Sequence, residues 1–214
     1  YSKALEFLQQ ALALHSKVKN RMEKSTTLDN LGKAYRELGE WSKALESFQQ
    51  ALFISVEIGD RSGEGKTLHQ IGSLLATQKH PEVAIVFYKQ SVNVRETIRQ
   101  DIRNLSREFQ ESYTQSVAGT YRALADLLIA QGRIGEAQQV LERLKLQELN
   151  DFTKGTRAPT AIAEVGFNPV ETEIKGKYTS LVAFGGKFYE CEQQQPRCAQ
   201  YSTLKTQYES LSTE

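Results

Sequence analysis

The side chains best suited to metal binding or nucleophilic catalysis are few and far apart in this sequence. The three histidines are His15, His69 and His80, and none stands at metal-ligand spacing from a cluster of cysteine, aspartate or glutamate. The two cysteines, Cys191 and Cys198, lie in the last quarter of the chain, remote from every histidine. A Cys–His catalytic dyad therefore has no support. We predict no metal, no cofactor and no enzymatic activity.

The spacing of the two cysteines leaves their state open. A structural zinc site needs about four ligands, and no others stand near Cys191 and Cys198. An unbroken helix would hold their Cα atoms about 10 Å apart, too far for a disulfide. Pro196 lies between them and breaks a helix, so a bridge is sterically possible. A disulfide and two ordinary thiols both remain open.

The composition is that of an ordinary water-compatible domain. The chain has 214 residues, a quarter of them charged, with a formal net charge of +1. Such a balance has no basic excess for nucleic acid, and no apolar run reaches the ~18 residues of a membrane span. Tyr1 enters directly into a helical pattern, so we expect a piece of a longer polypeptide. Its compartment is unknown, with the cytoplasm as the default.

Fourteen residues at the start of the chain recur forty residues later. Residues 1–14 and 41–54 are identical at nine of fourteen positions, and most other pairs exchange one apolar side chain for another. A weaker copy follows after another forty residues, around Ala84 and Tyr88. A repeat of this length is typical of a helical array whose units stack on their neighbours, with a plain helical bundle as the alternative.

A second motif lies between these copies and predicts the other helix of each unit. Its apolar residues follow the i, i+3, i+7, i+10 spacing of one helical face, at Leu28, Leu31, Tyr35 and Leu38. The motif recurs from residues 68 and 121, and Gly39 or Gly132 ends the helix. Each unit is then helix A, a tight turn and helix B. Small residues, at positions 32, 44, 72, 84, 125 and 137, allow close approach of helices whose gaps are filled by Tyr35, Phe48 and Tyr88.

These motifs resemble the tetratricopeptide repeat (TPR) family. The family's pattern is matched by Leu28, Leu31, Gly32, Tyr35, Ala44, Phe48 and Ala51. The resemblance implies an all-α, right-handed solenoid of about three and a half repeats over residues 1–150, with the first repeat truncated. The period of forty exceeds the family's usual ~34 residues. We therefore expect longer helices and a longer turn over residues 57–65.

The resemblance also implies a concave groove lined by the A helices. Groove positions carried over from the family predict a protein or peptide ligand, because amides and charged groups there can hold an extended backbone and its carboxylates. The alternative is a merely solvated polar face. The predicted groove residues are Asn30, Lys33, Arg36, Lys66, His69, Gln70, Arg122 and Asp126.

The last repeat interval is thirteen residues longer than the others. The extra segment, about residues 97–116, keeps a helical apolar rhythm. We predict that the third B helix and the following A helix are each about two turns longer and protrude as a hairpin. After Leu149 the rhythm stops, so residues 151–168 are predicted to be a linker. Residues 169–214 are predicted to be a C-terminal helical hairpin, with Asn168 and Pro169 at the start of the first helix and Pro196 as the break.

Several segments are similar to the region before the protease-like domain of cyanobacterial CHAT proteins: residues 98–105, 117–132, 136–141, 146–149, 181–185 and 189–191. The resemblance implies the TPR arm of a larger protein, whose caspase-like domain would lie beyond Glu214. We therefore expect a scaffold for protein–protein interaction that recognises a partner or regulates the parent. The alternative is an intramolecular regulator that packs on the parent's own CHAT domain.

Overall fold

The computed structural model describes residues 2–152, 164–194 and 197–213. These residues form an all-α helical repeat solenoid followed by two further helices, and they contain no strand. Helix α1 is an unpaired B helix, and the pairs α2–α3, α4–α5 and α6–α7 are complete units, as the repeat predicted. The bounds are α1 Ser2–Lys17, α2 Arg21–Glu37, α3 Trp41–Glu57, α4 Arg61–Thr77, α5 Pro81–Asp101, α6 Arg107–Ala130, α7 Ile134–Phe152, α8 Pro169–Glu192 and α9 Tyr201–Thr213.

A residue with positive φ follows each of the first four helices at a constant interval of twenty residues. Gly39 and Gly59 adopt this conformation without steric cost, while Lys19 and Lys79 adopt it as non-glycine residues. After each of them the next amide bonds back to the carbonyl five residues earlier, as in the 2.9 Å bond from Glu40 to Tyr35. The same arrangement recurs at Gly132.

These turns correct one expectation. The predicted long turn over residues 57–65 is wrong, because α4 already begins at Arg61 and the turn has only three residues. Asp60 makes this early start possible, since its carboxylate accepts a hydrogen bond from the amide of Gly63 at 2.9 Å. The forty-residue period thus comes from helices of 17 residues and not from loops.

Small residues and aromatic rings alternate between the packed helices, as the sequence predicted. A Cβ atom on Gly32 would lie 2.5 Å from the ring of Phe48, and one on Gly72 would lie 3.2 Å from the ring of Tyr88. Phe48, Tyr88 and the small residues Ala44 and Ala84 are all buried. The A and B helices of a unit therefore pack through contacts that leave no room for larger side chains.

The predicted hairpin is formed by α5 and α6, joined by residues 102–106. With 21 and 24 residues they exceed the other solenoid helices by about one turn and about two turns, so the prediction overstated the extension of α5. Ser106 caps α6 by accepting a hydrogen bond from the amide of Phe109. The end of the hairpin exposes Leu105 and Phe109 to solvent.

The C-terminal helices fold back onto the B-helix side of the solenoid. Asn168 begins α8 with a capping box shared with Glu171, as its sequence position predicted. Helix α8 packs against α3 and α5, and α9 packs against α8. Gly186 of α8 lies so close to the ring of Phe53 that a Cβ atom there would overlap the ring. The apolar stripe of α8 thus shares the core of the repeats, through Val182.

The two cysteines form a disulfide, with 5.2 Å between the Cα atoms of Cys191 and Cys198. Helix α8 ends at Glu192, so the chain can turn before Pro196, which lies outside the described residues. This selects the bridge over two free thiols.

Most of the predicted linker, residues 153–163, also lies outside the described residues, and α7 reaches Phe152. The chain that leads into α8 is held to the solenoid at Val165. Its amide donates to the side-chain oxygen of Asn93 at 2.7 Å, and its carbonyl accepts from the side-chain nitrogen at 3.1 Å.

A buried cation joins α5, α7 and α8. The ammonium of Lys89 is inaccessible to solvent and lies 2.9 Å from Glu171, 2.7 Å from Glu136 and 2.8 Å from the carbonyl of Gly166. Arg133 adds an ion pair to Glu171 at 2.7 Å. Because unpaired buried charges are costly, this network fixes the start of α8 on the solenoid.

Candidate functional site

The candidate site is the A-helix face, which we define as the polar row contributed by α2, α4 and α6. All eight predicted groove residues lie on these three helices. Six of them contact a residue of the neighbouring A helix or a residue of their own helix. The other two, Arg122 and Asp126, are exposed on α6.

Asp29 is the centre of the contacts between α2 and α4. Its side chain is only 4% exposed and forms ion pairs with Lys33 at 2.7 Å and with Lys66 at 3.0 Å. The hydroxyl of Thr67 donates a hydrogen bond to it at 3.4 Å. Lys33 also donates to the side-chain oxygen of Asn30 at 3.3 Å. Two cations thus share one buried carboxylate, which leaves a local excess of positive charge.

Lys33 is the more enclosed of these two cations. Burial lowers the pKa of its ammonium group, and the nearby Lys66 acts in the same direction, while the bond to Asp29 opposes both. Lys66 is more accessible, with 47% of its side chain exposed against 29% for Lys33. The amine of Lys66 is therefore the better placed of the two to meet a ligand.

A second contact between α2 and α4 lies further along the face. The guanidinium of Arg36 donates to the side-chain oxygen of Gln70 at 2.9 Å and also pairs with Glu37 at 3.1 Å. Both Arg36 and Gln70 are half-buried. Because these two side chains are hydrogen-bonded to each other, a ligand that bonds to either of them has to share its polar group with this contact.

His69 makes the contact between α4 and α6. Its Nδ1 lies 3.1 Å from the hydroxyl of Thr120, and its ring packs edge-on against Tyr88 with 5.3 Å between ring centroids. Burial lowers the pKa of His69 to about 4, and the charges of Arg95 and Arg36 contribute. His69 is therefore neutral near pH 7 and acts as a hydrogen-bonding group rather than a cation.

The repeat register explains why Arg122 is exposed. Aligning the A helices places Asp29, His69 and Arg122 at equivalent positions, and Thr67 and Thr120 at equivalent positions. The first two residues of that set each contact the threonine of the next A helix. Arg122 stands on the last A helix of the described solenoid, so no such threonine faces it. No hydrogen bond or ion pair of Arg122 is found within the described ranges.

Sequence reasoning missed the residues beneath this face that belong to the elongated α5. Arg95 donates to the carbonyl of Gly65 at 3.3 Å, and burial lowers the pKa of its guanidinium. Glu96 is buried and pairs with Arg99 at 2.6 Å. Both lie on a B helix, which the family pattern does not assign to the groove. The extra length of the interval was the one signal that could have pointed to them.

Two other kinds of feature, a metal site and a membrane-spanning helix, are not formed by the described residues. His15 lies on α1, and His80 is exposed at the start of α5. In the part of the chain that the structure describes, no group of three His, Cys, Asp or Glu side chains is placed to hold a metal ion. None of the described helices combines the length and the apolar character that crossing a membrane requires.

Comparison with known proteins identifies the class to which the repeats are similar. The family model of the tetratricopeptide repeat matches residues 1–55, which comprise α1, α2 and most of α3. The match supports a TPR protein, and the later helix pairs continue the same architecture as a TPR-like solenoid. No curated protein and no solved structure shows significant similarity to the chain. The resemblance to CHAT proteins gains no support from these comparisons.

Proposed function

We propose that the chain is a protein-interaction scaffold whose A-helix face binds an extended segment of a partner protein. TPR repeats generally mediate protein–protein interaction, and the family is typically non-enzymatic. The observation that carries the proposal is the position of the C-terminal helices. Because α8 packs on the B helices α3 and α5, the A-helix face is not covered by any described helix.

The chemistry of the face suits a polar main chain with mixed side chains. Lys66 and Arg122 present accessible cations, Asp126 presents an accessible carboxylate, and Gln70 presents an amide. Neighbouring packed helices lie about 10 Å apart, and alternate side chains of an extended peptide about 7 Å apart, so one peptide can meet several A helices. The exposed carboxylate of Asp126 disfavours a purely acidic ligand.

The structure also decides which residues test the proposal. Lys33 neutralises the buried Asp29, so its replacement is expected to reduce stability as well as binding. Arg122 makes no contact that the described fold requires, so its replacement isolates a role in binding. The Arg122→Ala variant is therefore the sharper probe.

The first prediction concerns peptides selected on the wild-type protein from a displayed random library. We expect the Arg122→Ala variant to bind them more weakly by about 1–3 kcal/mol, because a charge-assisted hydrogen bond is lost. Its melting temperature should stay unchanged, since exposed charges contribute little to folding. Isothermal titration calorimetry measures the affinity and circular dichroism the melting.

The matched control is Lys145→Ala, which removes an exposed cation from α7, a B helix. It should leave both affinity and melting temperature unchanged. If Lys145→Ala weakened binding as much as Arg122→Ala, the partner would dock elsewhere and the proposal would fail.

The wider context of the scaffold stays a prediction. A recognition or regulatory arm of a CHAT protein, or an intramolecular regulator of such a protein's own protease-like domain, rests on the sequence segments alone. The coding sequence that follows Glu214 in the parent gene decides it, because a caspase-like domain with a catalytic His and Cys would have to be encoded there. A different continuation would rule out both versions.

A further inference from the structure

A concave site lies on the B-helix side of the solenoid, where α8 crosses the repeats. This cleft, which we call the α8 cleft, has a volume of 450 Å³. Its size falls within the range of about 300–1,000 Å³ that is usual for small-molecule sites. The cleft is formed by α3, α4, α5 and α8, and its lining includes Leu52, Phe53, Leu68, Phe87, Tyr178 and Val182.

The floor of the α8 cleft is apolar and aromatic. Phe87 and Tyr178 meet edge to face, with 5.0 Å between ring centroids, and the ring of Phe53 forms another wall. Leu68 and Val182 are buried beneath them as part of the repeat core. The aromatic faces of such walls attract cations as well as apolar groups.

Two carboxylates at the opening of the α8 cleft, those of Glu57 and Glu64, differ in their ion pairing. Glu57 forms an ion pair with Arg21, a cation that also pairs with Glu190. Glu64 has no ion pair within 4.0 Å among the described residues, although it is partly buried. Burial raises the pKa of the Glu64 carboxyl, against the lowering effect of Arg61. This carboxylate has lost part of its hydration without gaining a cation, so a cationic ligand would stabilise it.

Lys187 is the cation that α8 itself brings to the cleft. It is exposed on the α8 side of the opening and forms no ion pair with Glu64. Its ammonium would repel a cationic ligand while Glu64 attracts one. The two residues therefore provide opposite tests of the charge that the cleft selects.

We propose that the α8 cleft is a binding site for a small apolar ligand that carries one cationic amine. The apolar part lies among Phe53, Phe87 and Tyr178, and the ammonium lies at the opening against Glu64. The site is separate from the A-helix face, because B helices and α8 form most of it. Loss of binding at one site therefore leaves binding at the other intact.

The experiment uses three probes that share a phenyl ring and a four-carbon chain and differ in the charge and type of the end group: 4-phenylbutylamine, 4-phenylbutanol and 4-phenylbutyrate. We expect saturable binding of the amine to the whole chain by isothermal titration calorimetry. The alcohol should bind at least roughly tenfold more weakly, because it lacks the ion pair and the cation–π contact. The carboxylate should not bind measurably. Equal affinity of the three probes, or no saturable binding of the amine, would overturn the proposal.

Two charge variants locate the site. Glu64→Gln should weaken the amine by roughly tenfold and leave the alcohol unchanged, whereas Lys187→Gln should tighten the amine. The matched control is Glu108→Gln, an exposed carboxylate at the hairpin that lies outside the cleft. If Glu64→Gln bound the amine as the wild type does, or if Glu108→Gln weakened it equally, the assignment to this cleft would be wrong.

A third variant fills the cleft without touching its charges. Thr179 is exposed at the opening on α8, so Thr179→Trp should place a ring in the space while leaving the fold intact. Circular dichroism checks the fold. The folded variant should lose binding of both the amine and the alcohol, and retained binding would place the ligand elsewhere.

Discussion

At the scale of single residues, the polar side chains of the A-helix face join successive repeats, and in our proposal the same side chains also meet the partner. Asp29 pairs with both Lys33 and Lys66 between two repeats, and His69 bonds to Thr120 between the next two. The same polar row therefore connects the A helices to one another. A ligand that binds there has to share these groups or use the ones left over, above all Arg122.

The pH dependence of stability follows from His69. Its folded pKa of about 4 lies below the 6.5 of the unfolded chain, so the unfolded state binds the proton more readily between these values. The free energy of unfolding should therefore be constant above pH 6.5 and fall as the pH drops from 6.5 toward 4. Urea unfolding of the wild type and of His69→Gln between pH 7.5 and 5 measures this, with a shallower decline expected in the variant.

The control for this comparison is His80→Gln. His80 is exposed at the start of α5 and makes no side-chain capping bond, so its replacement should leave the wild-type decline in place. If wild type and His69→Gln lost stability in parallel, the decline would originate in other groups.

Residue identities on the A helices could be taken from the sequence, but their contacts could not. Periodicity indicates that Lys33 and Lys66 lie one or two positions off the apolar stripe. It does not state that both reach Asp29, because that depends on the offset between successive A helices. For the same reason, sequence reasoning could not separate the spare cation, Arg122, from the engaged ones. Arg95 was missed because it approaches the face from a B helix.

At the scale of elements, helix positions were far more predictable than helix partners. The apolar spacing and the capping residues predicted α8 from Asn168 onward, since both are local properties. An amphipathic stripe tells which side of a helix is apolar but not which surface covers it. The docking of α8 on α3 and α5 therefore had to come from the structure. The short turn at residues 58–60 was mispredicted because Gly63 and Gly65 read as loop residues.

Two glycines of α8 make a matched pair for testing this docking. Gly186→Ala should reduce stability by about 1–3 kcal/mol, because the added methyl group overlaps the ring of Phe53. A Cβ atom added at Gly176 would meet no other side chain or element within 4 Å, so Gly176→Ala should raise stability by about 0.5–1 kcal/mol through helix propensity. Chemical denaturation measures both. Stabilisation by Gly186→Ala would show that α8 does not lie against α3 in solution.

At the scale of the whole molecule, the charge network around Lys89 unites the solenoid with its C-terminal helices. Lys89 lies on α5, Glu136 and Arg133 on α7, and Glu171 on α8. The contacts join residues up to 82 positions apart in the chain. The network had no signature in the sequence, since a lysine within an apolar B helix and an acid near a cap each have ordinary local explanations.

Lys89→Met is the variant that tests this network. It should cost about 3–5 kcal/mol of stability, because it leaves Glu171 buried with only Arg133 as a cation. Limited proteolysis should then cut first between α7 and α9, since the start of α8 is released. The Lys145→Met variant on the exposed side of α7 is the control and should change neither property. A loss below about 1 kcal/mol in Lys89→Met would mean that the network does not hold α8.

The crossing of α8 over the repeats also has a mechanical consequence. In a solenoid each repeat contacts only its neighbours, so the array can bend where successive repeats meet. Helix α8 is pinned to α5 through Lys89 and Phe87, to α3 through Phe53, and to the start of α2 through the 2.6 Å pair of Arg21 and Glu190. Helix α8 therefore bridges helices of more than one repeat. We expect it to resist any bending that would move α2, α3 and α5 apart on the side where α8 lies.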